Sequence, residues 1–239
     1  MIKRAVLGGL LALSVATACA QSNDAAEVKK AIEASMGKGA KVDGVREAGF
    51  LGLYEVQIGG DILYTDRKAS YVFVGDVVDA KTHKNLTEER KNKLSQIKFS
   101  DLPLDLAVKQ VRGNGKRVFA TFEDPNCGYC KKLAKELQGM NDVTIYTFLY
   151  PILSPDSTDK SKAIWCAADK AKAWNDWMIN GVEPAPGKCD TPTDKVVALG
   201  RKLNIRGTPT IFFADGNRIP GYVPVAHIEQ TIGKAGSGG

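Results

Sequence analysis

The stretch Arg117-Val118-Phe119-Ala120-Thr121-Phe122-Glu123-Asp124-Pro125-Asn126-Cys127-Gly128-Tyr129-Cys130-Lys131-Lys132-Leu133-Ala134-Lys135-Glu136-Leu137 decides how this chain is read. Its first part is an apolar run suited to a strand, its last part suits a helix, and a C-x-x-C pair stands at the junction, which reads as redox chemistry. Two cysteines three apart on a first helical turn fall within the roughly 4.4–6.8 Å Cα separation that a disulfide needs. Cys127, at the helix start, is the expected nucleophile, because free backbone N–H groups and the positive end of the helix dipole favour its thiolate. Lys131 and Lys132 are expected to add to that effect. Cys130, one turn inward, is the expected resolving thiol, with Gly128 and Tyr129 as the dipeptide between.

Other uses of the pair fit less well. A structural zinc site takes four Cys or His ligands, commonly as two pairs. The remaining candidates, Cys166, Cys189, His83 and His227, are scattered, so neither a metal nor any other cofactor is expected. A purely structural disulfide closing so short a loop would constrain the unfolded chain little.

The N-terminus indicates the compartment. Met1 to Arg4 form a basic start, Ala5 to Val15 an apolar core, and Ala18-Cys19-Ala20 a small-x-small cleavage pattern, so residues 1–20 read as a signal peptide cleaved near Ala20. Cys19 as a lipid-attachment site is the alternative; Ala16 stands where such signals usually carry Leu. No later segment approaches the roughly 20 apolar residues of a membrane span. A soluble, exported protein with no stable membrane insertion is expected. Loss of Cys19 leaves an even four cysteines, and in an oxidising compartment Cys166 and Cys189 are expected to pair as a structural disulfide worth on the order of 3 kcal/mol.

Charge excludes one class of function. The formal net charge is +6, falling to about +4 once Lys3 and Arg4 leave with the leader. No basic stripe interleaved with aromatics is present, so nucleic acid is not an expected partner.

The pattern predicts two domains. Asp24–Met36 places Ala25, Val28, Ile32 and Met36 on one helical face, and four short β-like runs follow, over 41–46, 52–58, 61–65 and 71–78. A mostly polar helix over 87–97, capped by Thr87, reads as a linker. Beyond Pro103 come a strand over 105–111, a turn at 112–115, a strand over 116–123, the C-x-x-C helix, and a second apolar strand over 143–149. That is a β-α-β unit with its cysteines at the carboxyl end of a strand, where α/β folds place ligand sites. A helical insertion over 159–180 follows, whose Trp165, Trp174 and Trp177 read as core. A helix over 193–203, a strand over 208–213, a turn at 215–217 and a closing helix over 225–232 complete the chain, and 235–239 reads as a flexible tail. The boundaries expected are 1–20 leader, 21–86 first domain, 87–103 linker, 104–234 second domain and 235–239 tail.

Gly207-Thr208-Pro209 is the second chemical signal. Proline opening a buried strand removes a ladder donor; the residues leave open a cis Thr208–Pro209 bond or an ordinary trans proline at a strand's first position.

Together these features resemble the thioredoxin superfamily, and within it the DsbC/DsbG family of bacterial periplasmic disulfide isomerases. The resemblance rests on Cys127-Gly128-Tyr129-Cys130-Lys131-Lys132-Leu133, on Lys162 to Lys170 around Cys166, on the Cys166 to Cys189 spacing, and on Gly207-Thr208-Pro209 followed by Ile219-Pro220-Gly221-Tyr222. It implies an α/β chain, α+β overall: a cystatin-like N-terminal dimerisation domain, a linker helix and a C-terminal thioredoxin fold with a helical insertion. It further implies a V-shaped homodimer with facing active sites, a cis bond at Pro209, misfolded disulfide-containing exported proteins as substrates, and the membrane reductase DsbD as partner. The isomerase mechanism it implies runs through a reduced Cys127, with Thr208 and Pro209 presenting backbone groups to substrate.

The chain also departs from that pattern. The acid that thioredoxins bury six residues before the first cysteine is replaced by Thr121, and Glu123 and Asp124 read equally well as exposed strand-end acids. Three rivals stand beside isomerisation. A DsbA-like oxidase would lack residues 21–100, a DsbG-like thiol-protecting reductase usually carries Pro-Tyr between its cysteines, and a holdase chaperone would work through an apolar cleft.

Overall fold

The computed structural model describes residues 14–37, 39 and 41–235. The expected leader falls largely on residues 1–13, and most of the expected tail on 236–239, both outside the described residues; so does the Cys19 side chain. The chain divides into two compact units between Lys91 and Asn92.

In the first unit, helix α1 (Ser14–Met36) covers an antiparallel meander of β1 (Gly44–Glu47), β2 (Tyr54–Ile58), β3 (Asp61–Thr65) and β4 (Val72–Phe73), paired in that order. Val28 and Ile32, one helical turn apart, pack with Val42, Tyr54 and Val56 into a small core. Met36, expected on the same face, is exposed instead, because the helix ends beyond the sheet's cover. Glu55 is buried on β2 and neutralised by Arg46 and by Arg90 of helix α2 (Leu86–Leu94). Thr87 is not the cap of α2. Asn85 is, its Oδ1 accepting the Glu88 N–H at 2.9 Å, while buried Thr87 accepts the Val77 N–H at 2.9 Å and bonds the Tyr64 hydroxyl at 2.7 Å. An Asn followed three residues later by Glu is a capping signature that Asn85-Leu86-Thr87-Glu88 displays.

The second unit is a five-stranded sheet with β5 (Val108–Arg112), β6 (Arg117–Glu123), β7 (Val143–Leu149), β8 (Thr210–Phe213) and β9 (Arg218–Pro220) in the order β5-β7-β6-β8-β9. Only β6 and β7 run parallel, joined through helix α3 (Gly128–Leu137). The expected strand over 105–111 starts at Val108, since Leu104–Leu106 form a 3-10 turn after Pro103. Strand β5 pairs with β7, not with β6 across the intervening turn. That turn folds onto the Asn141-Asp142 corner so closely that a Cβ at Gly113, where φ is +56°, would lie 2.3 Å from Asp142 Oδ1.

Central strand β6 is buried on both faces, which is why it reads as a near-continuous apolar run. Alternation sends Phe119 to one side, against Leu133 and Leu137 of α3 and Ile228 and Ile232 of α7 (Val225–Ala235). Ala120 and Phe122 face the other side, against Val196 of helix α6 (Thr193–Lys202), Phe148 and Phe212. The insertion begins earlier than expected, at α4 (Pro155–Cys166) with Ser154 as its cap, and continues as α5 (Lys170–Asn175) and a π-helical turn, Asp176–Asn180. Trp174 is core, but Trp165 and Trp177 are only partly buried, with lysine ammonium groups over their rings.

Candidate active site

Strand β6 delivers the chain to the site, and a compact turn around Asp124 sets the approach to Cys127. Asp124 is fully buried, and its two carboxylate oxygens accept four donors: the Asn126 N–H at 2.8 Å, the Ser157 hydroxyl at 2.7 Å, and the Ile152 and Leu153 N–H groups at 2.8 and 3.0 Å. One side chain thus ties the loop before Cys127 to the loop after β7 and to the start of α4. The Asp124 carbonyl accepts the Cys127 N–H at 3.0 Å, and the Trp177 indole N–H donates to the Pro125 carbonyl at 2.7 Å. Asn126 closes the arrangement by donating to Asp156 at 2.7 Å.

Cys127 is the N-cap of α3, with φ −75° and ψ 118°, and its Sγ accepts the Cys130 N–H at 3.4 Å. As a thiol it donates to the Thr208 carbonyl at 3.3 Å. Its pKa is lowered to about 5, first by the hydrogen bond from the Cys130 side chain, against the opposing effect of burial, and then by the Thr208 side chain and the Cys130 and Tyr129 N–H groups. Lys131 and Lys132 have other engagements: their ammonium groups lie 4.1 Å from the Trp177 ring centroid and 4.3 Å from that of Tyr222. Hydrogen bonds at the helix start, more than lysine charge, hold the thiolate.

Cys130 is fully buried and its thiol is pushed far above the ordinary range, by burial first, then by its bond to Cys127 and by the negative charge of Glu123. The neighbouring thiols are therefore opposite in character, one ionised at neutral pH and the other a protonated donor. Both are free, whereas Cys166 and Cys189 form a disulfide with a Cα separation of 5.6 Å between α4 and the loop before α6. The Thr208–Pro209 bond is cis, and the Thr208 carbonyl lies 3.3 Å from Cys127 Sγ. Gly128 and Tyr129 are exposed, and the Tyr129 ring lies 5.9 Å from that of Tyr222, whose hydroxyl donates to Glu136 at 2.5 Å. The structure thus gathers Cys127, Gly128, Tyr129, Cys130, Thr208 and Pro209 in one place and sets Cys166–Cys189 apart, tying the end of α4 to the loop before α6.

Glu123 and Asp124 are not exposed strand-end acids: both are buried beneath the site. Glu123 shares the α3-facing side of β6 with Phe119 and Thr121, and the Thr121 hydroxyl donates to its Oε1 at 2.7 Å. Its pKa is raised to about 8, chiefly by burial, with the Cys127 charge adding to the effect and the Thr121 bond opposing it. The period-2 alternation from Phe119 is the sequence signal that placed Glu123 inward.

Known proteins share these features. Residues 104–236 match the thioredoxin-like domain family model, and residues 19–88 match the model for the disulfide bond isomerase protein N-terminal domain. A protein from Bordetella pertussis named as a probable thiol:disulfide interchange protein DsbC is 54% identical over 195 residues, covering 82% of this chain and 70% of that protein. The thiol:disulfide interchange protein DsbC of Escherichia coli K12 is 30% identical, with 89% of each chain covered. The crystal structure of a disulfide interchange protein from Neisseria gonorrhoeae is 45% identical, superimposes with a TM-score of 0.54, and covers 56% of this chain and 97% of its own. With both family models placed on the two units and the paired thiols at the head of α3, the chain belongs to the DsbC family of thiol:disulfide interchange proteins.

Proposed function

We propose that this protein is a periplasmic thiol:disulfide isomerase that rearranges non-native disulfides in exported proteins. The observation that carries this reading is the match of the first unit to the N-terminal domain of disulfide bond isomerases, joined to a catalytic unit with one ionised and one protonated thiol. Cys127 thiolate attacks a substrate disulfide and forms a mixed disulfide; the released substrate thiolate attacks another cysteine pair, and a native pairing finally expels Cys127. No net electrons move. Thr208 and Pro209 offer backbone groups to the substrate chain beside Cys127. When rearrangement stalls, Cys130 displaces the substrate, leaving an oxidised enzyme that the membrane reductase DsbD returns to the dithiol.

The protein works as a homodimer through its first domain, residues 21–86, with 87–103 as linker and 104–234 as the catalytic domain. Edge strand β4 supports this: Val72 and Phe73 are half exposed, and Tyr71 and Val74 beside them are more so, an apolar edge that a second copy would cover. Residues 1–20 serve as the export leader. Among the described residues, no helix is long and apolar enough to cross a membrane. Recovery of activity from scrambled ribonuclease tests the reading. The reduced protein is expected to restore activity in catalytic amounts, and a protein that only oxidises reduced ribonuclease is a DsbA-like oxidase instead.

A further inference from the structure

The turn that leads into the nucleophile is Asp124-Pro125-Asn126-Cys127, closed by the Cys127 N–H on the Asp124 carbonyl at 3.0 Å. Its residue types suit two forms: proline is favoured at the second position of type I and type II turns alike, aspartate suits the first position of type I, and asparagine suits the third of type II. The two forms differ by rotation of one peptide group, here the one between Pro125 and Asn126. That group is held at both ends. Its N–H donates to Asp124 Oδ1 at 2.8 Å, and its carbonyl accepts the Trp177 indole N–H at 2.7 Å. Asn126 has no left-handed φ, so the form held is the type I orientation. The first grip is local, whereas the second comes from 52 residues further along the chain. Trp177 stands on the π-helical turn Asp176–Asn180, a kind of turn that recurs at functional sites. The same turn buries Met178, which packs with Trp174 in the cluster that holds Cys127 and Cys130, so core packing seats it against the site. The Trp177 ring is gripped as well: the ammonium groups of Lys131 from α3 and Lys160 from α4 lie 4.1 and 4.7 Å from its centroid. Lys160 pairs with Asp156 at 2.7 Å and with Glu183 at 2.9 Å, and Asp156 also accepts the Asn126 side chain.

We propose that Trp177 is a positioning residue for Cys127: by holding the Pro125 carbonyl it locks the peptide group that leads into the nucleophile, and so sets the direction from which the sulfur meets a substrate disulfide beside Thr208. The inference rests on the thiol-exchange reading of the site. Attack on a disulfide is directional. The Cys127 sulfur must approach along the line of the bond that breaks; the bond from Cys127 to one substrate sulfur forms as the substrate S–S bond breaks, and the other substrate sulfur leaves as a thiolate with the electron pair. The hydrogen bond that the start of α3 gives the Cys127 sulfur is separate from the indole's grip, so direction and ionisation are set by different contacts. Rotation of the Pro125–Asn126 peptide would break the bonds to Trp177 and to Asp124 Oδ1 together, and the lysines over the indole and the Asp156 bond to Asn126 oppose the movement from two further helices.

The test uses the full chain in a Cys130→Ser background, which stops each reaction at the Cys127 adduct. Glutathione disulfide is the probe, and mixed-disulfide formation is followed by intact mass at a pH where Cys127 is fully ionised in every variant compared. Trp177→Phe keeps an aromatic ring and removes the N–H, and it is expected to slow mixed-disulfide formation about tenfold. Alkylation by iodoacetamide, a small reagent that reaches the sulfur from any open side, is expected to change by less than about threefold. Loss of the fold or of the thiolate would not give that split. Trp177→His, whose imidazole Nε2 takes the place of the indole Nε1 in the five-membered ring, is expected to recover most of the exchange rate. Exchange by Trp177→Phe within about twofold of the Cys130→Ser parent overturns the proposal, and so does equal slowing of exchange and alkylation. A Trp177→His variant as slow as Trp177→Phe overturns it too, by assigning the effect to ring packing. Glutathione disulfide asks only for attack by Cys127, so failure to rescue scrambled ribonuclease would sink isomerisation while leaving the role of Trp177 standing.

Discussion

The backbone N–H of Cys130 points at Cys127 Sγ from 3.4 Å, so the peptide group of one active cysteine stabilises the negative charge of the other. That donor is one of the N–H groups that every helix leaves unpaired at its start, and here the acceptor that caps it is the nucleophile itself. The relationship is built into any C-x-x-C whose first cysteine is the N-cap.

It leads to a titration. Cys127 is expected to ionise near pH 5, followed by thiolate absorbance in the ultraviolet and by iodoacetamide labelling with peptide mapping. Because its folded pKa lies below the unfolded value, the thiolate stabilises the reduced fold above the unfolded pKa, and that contribution is lost as pH falls through about 5. Preferential labelling of Cys130, or a midpoint near 8.5, contradicts the site as described.

Glu123 has the opposite sign. Its pKa is raised to about 8, so its favourable contribution is complete below the unfolded value near 4.5 and is lost as pH rises through about 8. In the Cys127→Ser, Cys130→Ser variant, which removes thiol titration, denaturant unfolding is expected to show stability falling on the order of 3–5 kcal/mol across that window. Adding Glu123→Gln should flatten the curve; an equally steep curve would place the titration elsewhere.

The two cysteines are expected to separate in function. Cys127→Ser abolishes rescue of scrambled ribonuclease. Cys130→Ser keeps a measurable part of it, loses dithiol reductase activity, and accumulates mixed disulfides on non-reducing gels. Equal loss in both variants would mean that Cys130 is needed for shuffling itself.

Asp124→Ala strips an acceptor from four donors at once, two of them the Ile152 and Leu153 N–H groups. The variant is expected to lose about 3 kcal/mol or more of stability in urea unfolding, because buried donors are left unmatched. A loss below about 1 kcal/mol would show that water replaces the carboxylate without cost.

Deleting residues 21–86 tests the role of the first domain. The product is expected to sediment as a monomer and to lose isomerisation of scrambled ribonuclease while keeping a reactive Cys127. A monomer as active as the full chain removes that domain from the mechanism.

Much of the site was legible because its logic is local. Strand, cap and first helical turn are contiguous in Arg117 to Leu137, so the placement of Cys127 and Cys130 follows from spacing and from the polarity of helix ends. Helices α6 and α7 were readable for the same reason, since an amphipathic period is written within a dozen residues. Asn85 shows a local signal overlooked: the capping contact to Glu88 spans three residues.

What the chain order does not contain, tertiary structure decided. Strand β5 passes over its sequence neighbour β6 to pair with β7, a choice made by which edge remains free once α3 has carried the chain back parallel to β6. Glu123 and Asp124 are adjacent acids at a strand end; alternation from Phe119 assigns Glu123 to the α3-facing side of β6, but the strand pattern does not fix whether anything covers its last residue or the one after it. Asp124 is buried because the loop after β7 and the start of α4, about thirty residues on, bring it donors. Glu123 is buried because α3 and the insertion close over it, and the energy of a buried carboxyl depends on which dipoles and charges surround it in space. The sequence by itself determined where the reactive sulfurs stand on their helix; only the folded chain, by controlling solvation, determined the protonation states of the groups beneath them.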